Sequence, residues 1–103
     1  MNSAVAELVD KQEIADLCAR YTFALDQLDW PALRGCFTDA PVFVYPGGRI
    51  AGVEGIIERA RRALEPLDAS QHLLGNILIE VDGHDATSIC YFQAQHVRAG
   101  TPG

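Results

Sequence analysis

The feature that most narrows the fold is a helical stretch, about Val5 to Leu28, with too little polar surface to lie on one core alone. Ile14, Leu17, Cys18, Tyr21, Leu25 and Leu28 recur at helical spacing. With successive residues about 100° apart, the strongly polar Glu13, Asp16, Arg20 and Gln27 fall within an arc only about 60° wide. A second face carries Ala15, Ala19, Thr22 and Phe23. A helix so patterned is expected to be covered on two sides. Asp26 projects between Ala15 and Ala19, so its carboxyl is expected in an enclosed place. There it needs a partner, because an unpaired buried carboxylate is costly. A surface or capping position is the competing reading.

The rest of the chain changes period. Asp29 suits the cap of a short helix through Trp30, Pro31, Ala32, Leu33 and Cys36, with Pro31 in its first turn. Pro41 to Tyr45 reads as a strand ended by the turn Pro46-Gly47-Gly48. Gly52 precedes a third helix, Val53 to Leu64, whose apolar stripe is Val53, Ile56, Ile57, Ala60 and Leu64 and which Pro66 stops. Two strands follow, His72 to Val81 and Thr87 to Val97, joined by a three-residue turn Asp82-Gly83-His84 with Gly83 left-handed. Helices first and strands later indicate an α+β fold, a curved antiparallel sheet wrapped against the helices. No repeat or linker divides the 103 residues, so they form one domain.

Charge and composition exclude several partners. The net charge of −6 argues against nucleic acid, whose phosphates call for a basic surface. Arg59, Arg61 and Arg62 are diluted by Glu54, Glu58 and Glu65 and read as a solvated helix face. No run approaches the roughly 18 apolar residues of a membrane span, and the N-terminus lacks a signal-peptide layout. Three cysteines, Cys18, Cys36 and Cys90, without C-x-x-C spacing fit free thiols in a reducing compartment, so the cytoplasm is expected.

The order of motifs is informative beyond any one of them. A long helix ending in Ala24-Leu25-Asp26-x-x-Asp29-Trp30, the segment from Cys36 to Phe43, a third helix opening Gly52-x-Glu54-x-Ile56, then Ser70-Gln71-His72-Leu73-Leu74-Gly75-Asn76 and Ala94-x-His96 together resemble the SnoaL-like branch of the nuclear transport factor 2-like superfamily. Within that branch the pattern is most similar to the scytalone dehydratase and bile-acid dehydratase group. The resemblance implies a cone-shaped fold with a deep apolar pocket between sheet and helices. It implies that Asp26 and His72 act on a carbonyl-activated substrate, and that His96 is a second active-site histidine pairing with the acid of the first helix. Tyr21 matches a tyrosine of the bile-acid enzymes, and Tyr45 one that binds the substrate oxygen through water. Leu25 departs from the scytalone dehydratase pattern, which has a tyrosine there. The family also continues past the Ala94-x-His96 strand with one or two more strands. Either this chain is shortened, or a partner supplies the last strand.

The residues themselves point to proton transfer. A histidine held by a carboxylate keeps one tautomer and is made more basic, as a general base requires. An apolar pocket strengthens that pair by excluding water. The expected activity is a cofactor-independent lyase or isomerase acting on a small apolar carbonyl compound, dehydratase-like, with catalytic Asp26, His72, His96 and Tyr21. Tyr45, Asn76 and Phe92 are the expected substrate contacts. His96 is expected to be the partner of Asp26, because its strand face bears the small or apolar Cys90, Phe92 and Ala94. His72 shares that face only if the connecting turn has an odd number of residues. No cofactor and no metal are expected, although two histidines and a carboxylate are also the ligand set of a non-haem iron centre. The other alternative is a non-catalytic binding or assembly subunit. An unpaired sheet edge, together with an outer face of Ile77, Ile79, Ile89, Tyr91 and Val97, predicts a homo-oligomer, a dimer above all.

Overall fold

The first helix ends where its last backbone groups find other partners. Leu28 adopts φ 53, its amide donates to the Leu25 carbonyl, and the Asp29 amide donates to that of Ala24. This pair of bonds is a Schellman motif, with leucine where glycine is usual. Asp29 then caps the next helix, its carboxylate accepting from the Ala32 amide at 3.1 Å. The turn between the two caps folds the second helix back under the first.

The computed structural model describes residues 3–98. Its elements are α1 (Ser3–Asp26), α2 (Trp30–Arg34), β1 (Val42–Tyr45), β2 (Gly48–Ala51), α3 (Val53–Leu64), β3 (Ala69–Asp82) and β4 (Asp85–Val97). The class is α+β, with three helices before the long hairpin. Ala24, Leu25, Leu33, Ile57 and Leu64 form the core where α1, α2 and α3 meet, and Leu33 is wholly buried. Trp30, Phe37, Val53 and Ala60 pack around them. The α3 stripe read from the sequence is the one that faces this core. A side chain at Gly55 would strike Ile50 Cγ2 at 2.6 Å, so its lack of one lets α3 lie close on β2.

Several features differ from the sequence reading. Beyond Pro46-Gly47 the chain returns as β2, with Tyr45 opposite Gly48, where no strand was expected. Coverage of α1 on two sides holds only toward its C-terminal end. Thr22, Ala24 and Leu25 are buried there, whereas Phe23 is 62% exposed and Val5, Leu8 and Val9 are exposed as well. The α1 helix packs chiefly against β3, and space is left between it and β4. The third difference is the hairpin turn. Asp82 pairs with Asp85, leaving a two-residue turn of Gly83 and His84. Gly83 has φ 61 at the first turn position, as a II′-type hairpin requires.

An even turn alone would put His72 and His96 on opposite faces. Between the pairs Leu74↔Phe92 and Ile77↔Cys90, however, Gly75 and Asn76 stand against Tyr91 alone. This β-bulge takes up one residue and restores the parity. Ser70 therefore faces His96, His72 faces Ala94, and both pairs project from the α1 side. Past the bulge, Ile77 and Ile79 pair with Cys90 and Ser88 on the same side. The outer face expected to include Ile77 and Ile79 instead carries Leu73, Leu78, Ile89 and Tyr91. Among the described residues the strands make two separate ladders, β1–β2 and β3–β4, and the sheet is not closed.

Candidate functional site

The last residue of α1 meets the second edge of β3. Asp26 Oδ2 accepts the backbone N–H of His72 at 3.0 Å, and Oδ1 accepts the Ser70 hydroxyl at 3.2 Å. His72 Nδ1 lies 2.6 Å from Oδ1. The two side chains are 18% and 12% exposed, so the pair is largely removed from water. Nδ1 donating to the carboxylate leaves Nε2 as the lone-pair nitrogen. The backbone amide fixes the carboxylate, and the carboxylate fixes the imidazole.

The histidine in reach of Asp26 is thus His72, not the expected His96. The reason is register: α1 packs on β3, and His96 lies on β4 opposite Ser70, one strand further away. The His96 ring is 5.8 Å from that of His72, centroid to centroid, and Phe92 is 6.3 Å from it. An apolar cavity of about 650 Å³ opens beside the pair, between α1 and the uncovered face of β4. Tyr21, Leu25, Phe43, His72 and Phe92 are among its walls, as are all three cysteines. A smaller recess of about 170 Å³ adjoins it, shares Tyr21, Leu25, Phe43 and His72, and adds His96 and Arg59.

The phenol of Tyr21 stands edge-on to Phe37, with ring centroids 6.2 Å apart. Burial, and then the neighbouring Cys36, push its pKa above the usual 10.0, so the group stays an O–H donor at neutral pH. Burial also pushes the Cys36 thiol above its usual value, with Arg20 opposing. Burial thus disfavours the thiolate form of Cys36.

Residues 6–103 match the family model described as the SnoaL-like domain. The chain belongs to the SnoaL-like domain family. It is 31% identical over 94 residues to Rv2910c, an uncharacterised protein of Mycobacterium tuberculosis, a match covering 85% of this chain and 63% of that protein. The chain thus spans less than two thirds of that relative's length. Among solved structures, a nuclear transport factor 2-like protein with a cystatin-like fold from Novosphingobium aromaticivorans superposes with TM-score 0.82 at 28% identity, covering 96% of this chain and 67% of the other. A protein of the same organism named as a putative scytalone dehydratase superposes with TM-score 0.86 at 18% identity, over 97% and 68% of the two chains, a likeness of fold.

In this SnoaL-like domain Tyr21, His72 and Phe92 line the larger cavity, Tyr21, His72 and His96 line the recess, and Asp26 is bonded behind His72. Two of the expected contacts lie elsewhere. Tyr45 sits beyond Phe43 on β1, outside both recesses, with the Arg59 guanidinium 3.8 Å over its ring. Phe43, two residues earlier on the same strand, lines both spaces in its place. Asn76 is exposed in the bulge and lines neither. Ser70 was missed, though strand alternation from His72 would have placed it on the same face. Among the described residues no three His, Cys, Asp or Glu side chains gather closely enough to hold a metal ion. No helix among them is long and apolar enough to cross a membrane.

Proposed function

We propose that this SnoaL-like domain is a cofactor-independent lyase or isomerase that moves a proton next to the carbonyl of a small apolar substrate. The 2.6 Å contact of Asp26 with His72 at the wall of an apolar cavity carries this reading. His72 Nε2 takes a proton from the carbon beside the carbonyl, and the C–H electron pair passes into an enolate. The Tyr21 O–H donates to the enolate oxygen. The charge that develops on His72 is stabilised by Asp26, which also holds the ring in place. In dehydration, the enolate collapses to a double bond and expels hydroxide from the next carbon, which leaves as water with the proton from His72. In isomerisation the proton returns to a different carbon. His96 and Phe92 border the space the substrate would fill. The scytalone dehydratase name of one structural neighbour agrees with the first outcome.

The proposal extends to setting. A second copy of the chain is the partner we assign to the exposed apolar outer face of β3 and β4. Three free thiols support a cytoplasmic location.

The test is deuterium exchange in D₂O at the carbon beside the ketone of cyclic β-hydroxyketones, followed by NMR. The protein should accelerate exchange, and His72→Ala or Asp26→Asn should each slow it by about 100-fold or more. Exchange equally fast in the His72→Ala variant, or no acceleration by the wild type, would overturn the reading.

A further inference from the structure

The acids of α3 and Glu65, which caps its end, are each committed to an arginine other than Arg59. Glu54 pairs with Arg34 at 2.9 Å, Glu58 with Arg62 at 3.0 Å and Glu65 with Arg61 at 2.9 Å. Arg59 has no carboxylate partner among the described residues. Its guanidinium instead lies 3.8 Å over the Tyr45 ring and 5.9 Å from that of Phe43. Stacking uses the flat face of a guanidinium and leaves its N–H donors, which lie in the plane, available. The ring also fixes the side chain, so little freedom is lost when those donors bind something.

Position gives this arrangement meaning. Arg59 stands at the edge of the recess that holds His72 and His96, its guanidinium over Tyr45 in an adjoining groove that also holds Glu58 and Arg62, and Phe43 joins the recess to the larger cavity. No carboxylate lines either space, since Asp26 lies beneath His72. With neutral histidines, the walls of the joined spaces therefore carry one formal positive charge, in a chain whose net charge is −6. An apolar cavity with one oriented cation at its rim complements an apolar body with one oxyanion.

We propose that Arg59 is a specificity residue that binds a carboxylate or similar oxyanion on the far end of an apolar ligand whose other end meets His72. The inference rests on the cavity being a ligand site, as above, but not on catalysis. It names an amphipathic organic anion as the substrate class and gives Tyr45 a role in holding the cation.

Two fluorescent probes sharing one ring skeleton test it by titration: 1-anilinonaphthalene-8-sulfonate, which is anionic, and N-phenyl-1-naphthylamine, which is neutral. The wild type should prefer the sulfonate. Arg59→Met should weaken sulfonate binding by about tenfold while the neutral probe stays within about twofold. Arg59→Lys should recover part of the loss, and Arg62→Met, which removes an arginine already paired with Glu58, should change neither probe. An Arg59→Met variant that binds the sulfonate as the wild type does, or loses both probes alike, would overturn the assignment of Arg59 and leave the cavity as a ligand site. Failure of both probes to bind the wild type would sink the ligand site together with it.

Discussion

The residues around Asp26 differ in how much each should matter. Ser70 donates to the same oxygen as His72 but from 3.2 Å, against 2.6 Å for the ring nitrogen. Ser70→Ala should cost about 1 kcal/mol of stability and slow exchange by about fivefold, well short of the loss expected for Asp26→Asn. Chemical denaturation and the exchange assay together would check both numbers. Tyr21 supplies a pH signature. Its pKa is raised above 10.0 in the fold, so the folded state holds the proton longer than the unfolded chain. The stability this adds is complete below about pH 9 and declines as pH rises through 10.0 and beyond. Urea midpoints measured from about pH 8 to about pH 11 should fall at the alkaline end, and Tyr21→Phe should remove part of that fall. Cys36, shifted in the same direction, accounts for some of the remainder. Asp26 and His72 were both legible as candidates, because an acid on the apolar side of a helix and a histidine in an apolar strand are each unusual. Their pairing was not, since it depends on which strand the helix covers.

At the level of elements, local chemistry was read correctly where it is self-contained. The Asp29 cap and the whole of α3 follow from residues next to one another. The strand β2 was missed because Gly48-Arg49-Ile50-Ala51 has one strong strand former and is defined by its pairing with β1. The faces of β3 were misjudged beyond Gly75 for a related reason: a bulge is a property of two strands, and alternation along one strand cannot reveal it. Both helix and hairpin ends offer tests. Leu28 holds φ 53 at a position glycine prefers, and it is 39% exposed, so Leu28→Gly should stabilise the fold by about 1 kcal/mol. Gly83→Val should cost about 1–2 kcal/mol at the φ 61 position of the hairpin turn. Thermal melts of the two variants, run beside the wild type, should move in opposite directions.

For the whole molecule, the outer face of the long hairpin is the feature that bears on assembly. Leu73, Leu78, Ile89 and Tyr91 are 52%, 60%, 67% and 73% exposed and adjoin one another across the two strands. Contiguous apolar faces mark interfaces in soluble proteins, which is the ground for the second copy proposed above. Sedimentation at roughly tens of micromolar should show a dimer, and Leu78→Lys or Tyr91→Lys should shift it to monomer without disturbing Asp26 and His72. A wild type that stays monomeric would remove the second copy from the proposal. The bond from the His72 amide to Asp26 has a use beyond structure. One carboxylate grips both a backbone proton and the ring beside it, so whatever disturbs the ring is registered by that proton. Its NMR resonance and its rate of exchange with solvent form a built-in gauge, able to report a ligand's arrival with no turnover to time.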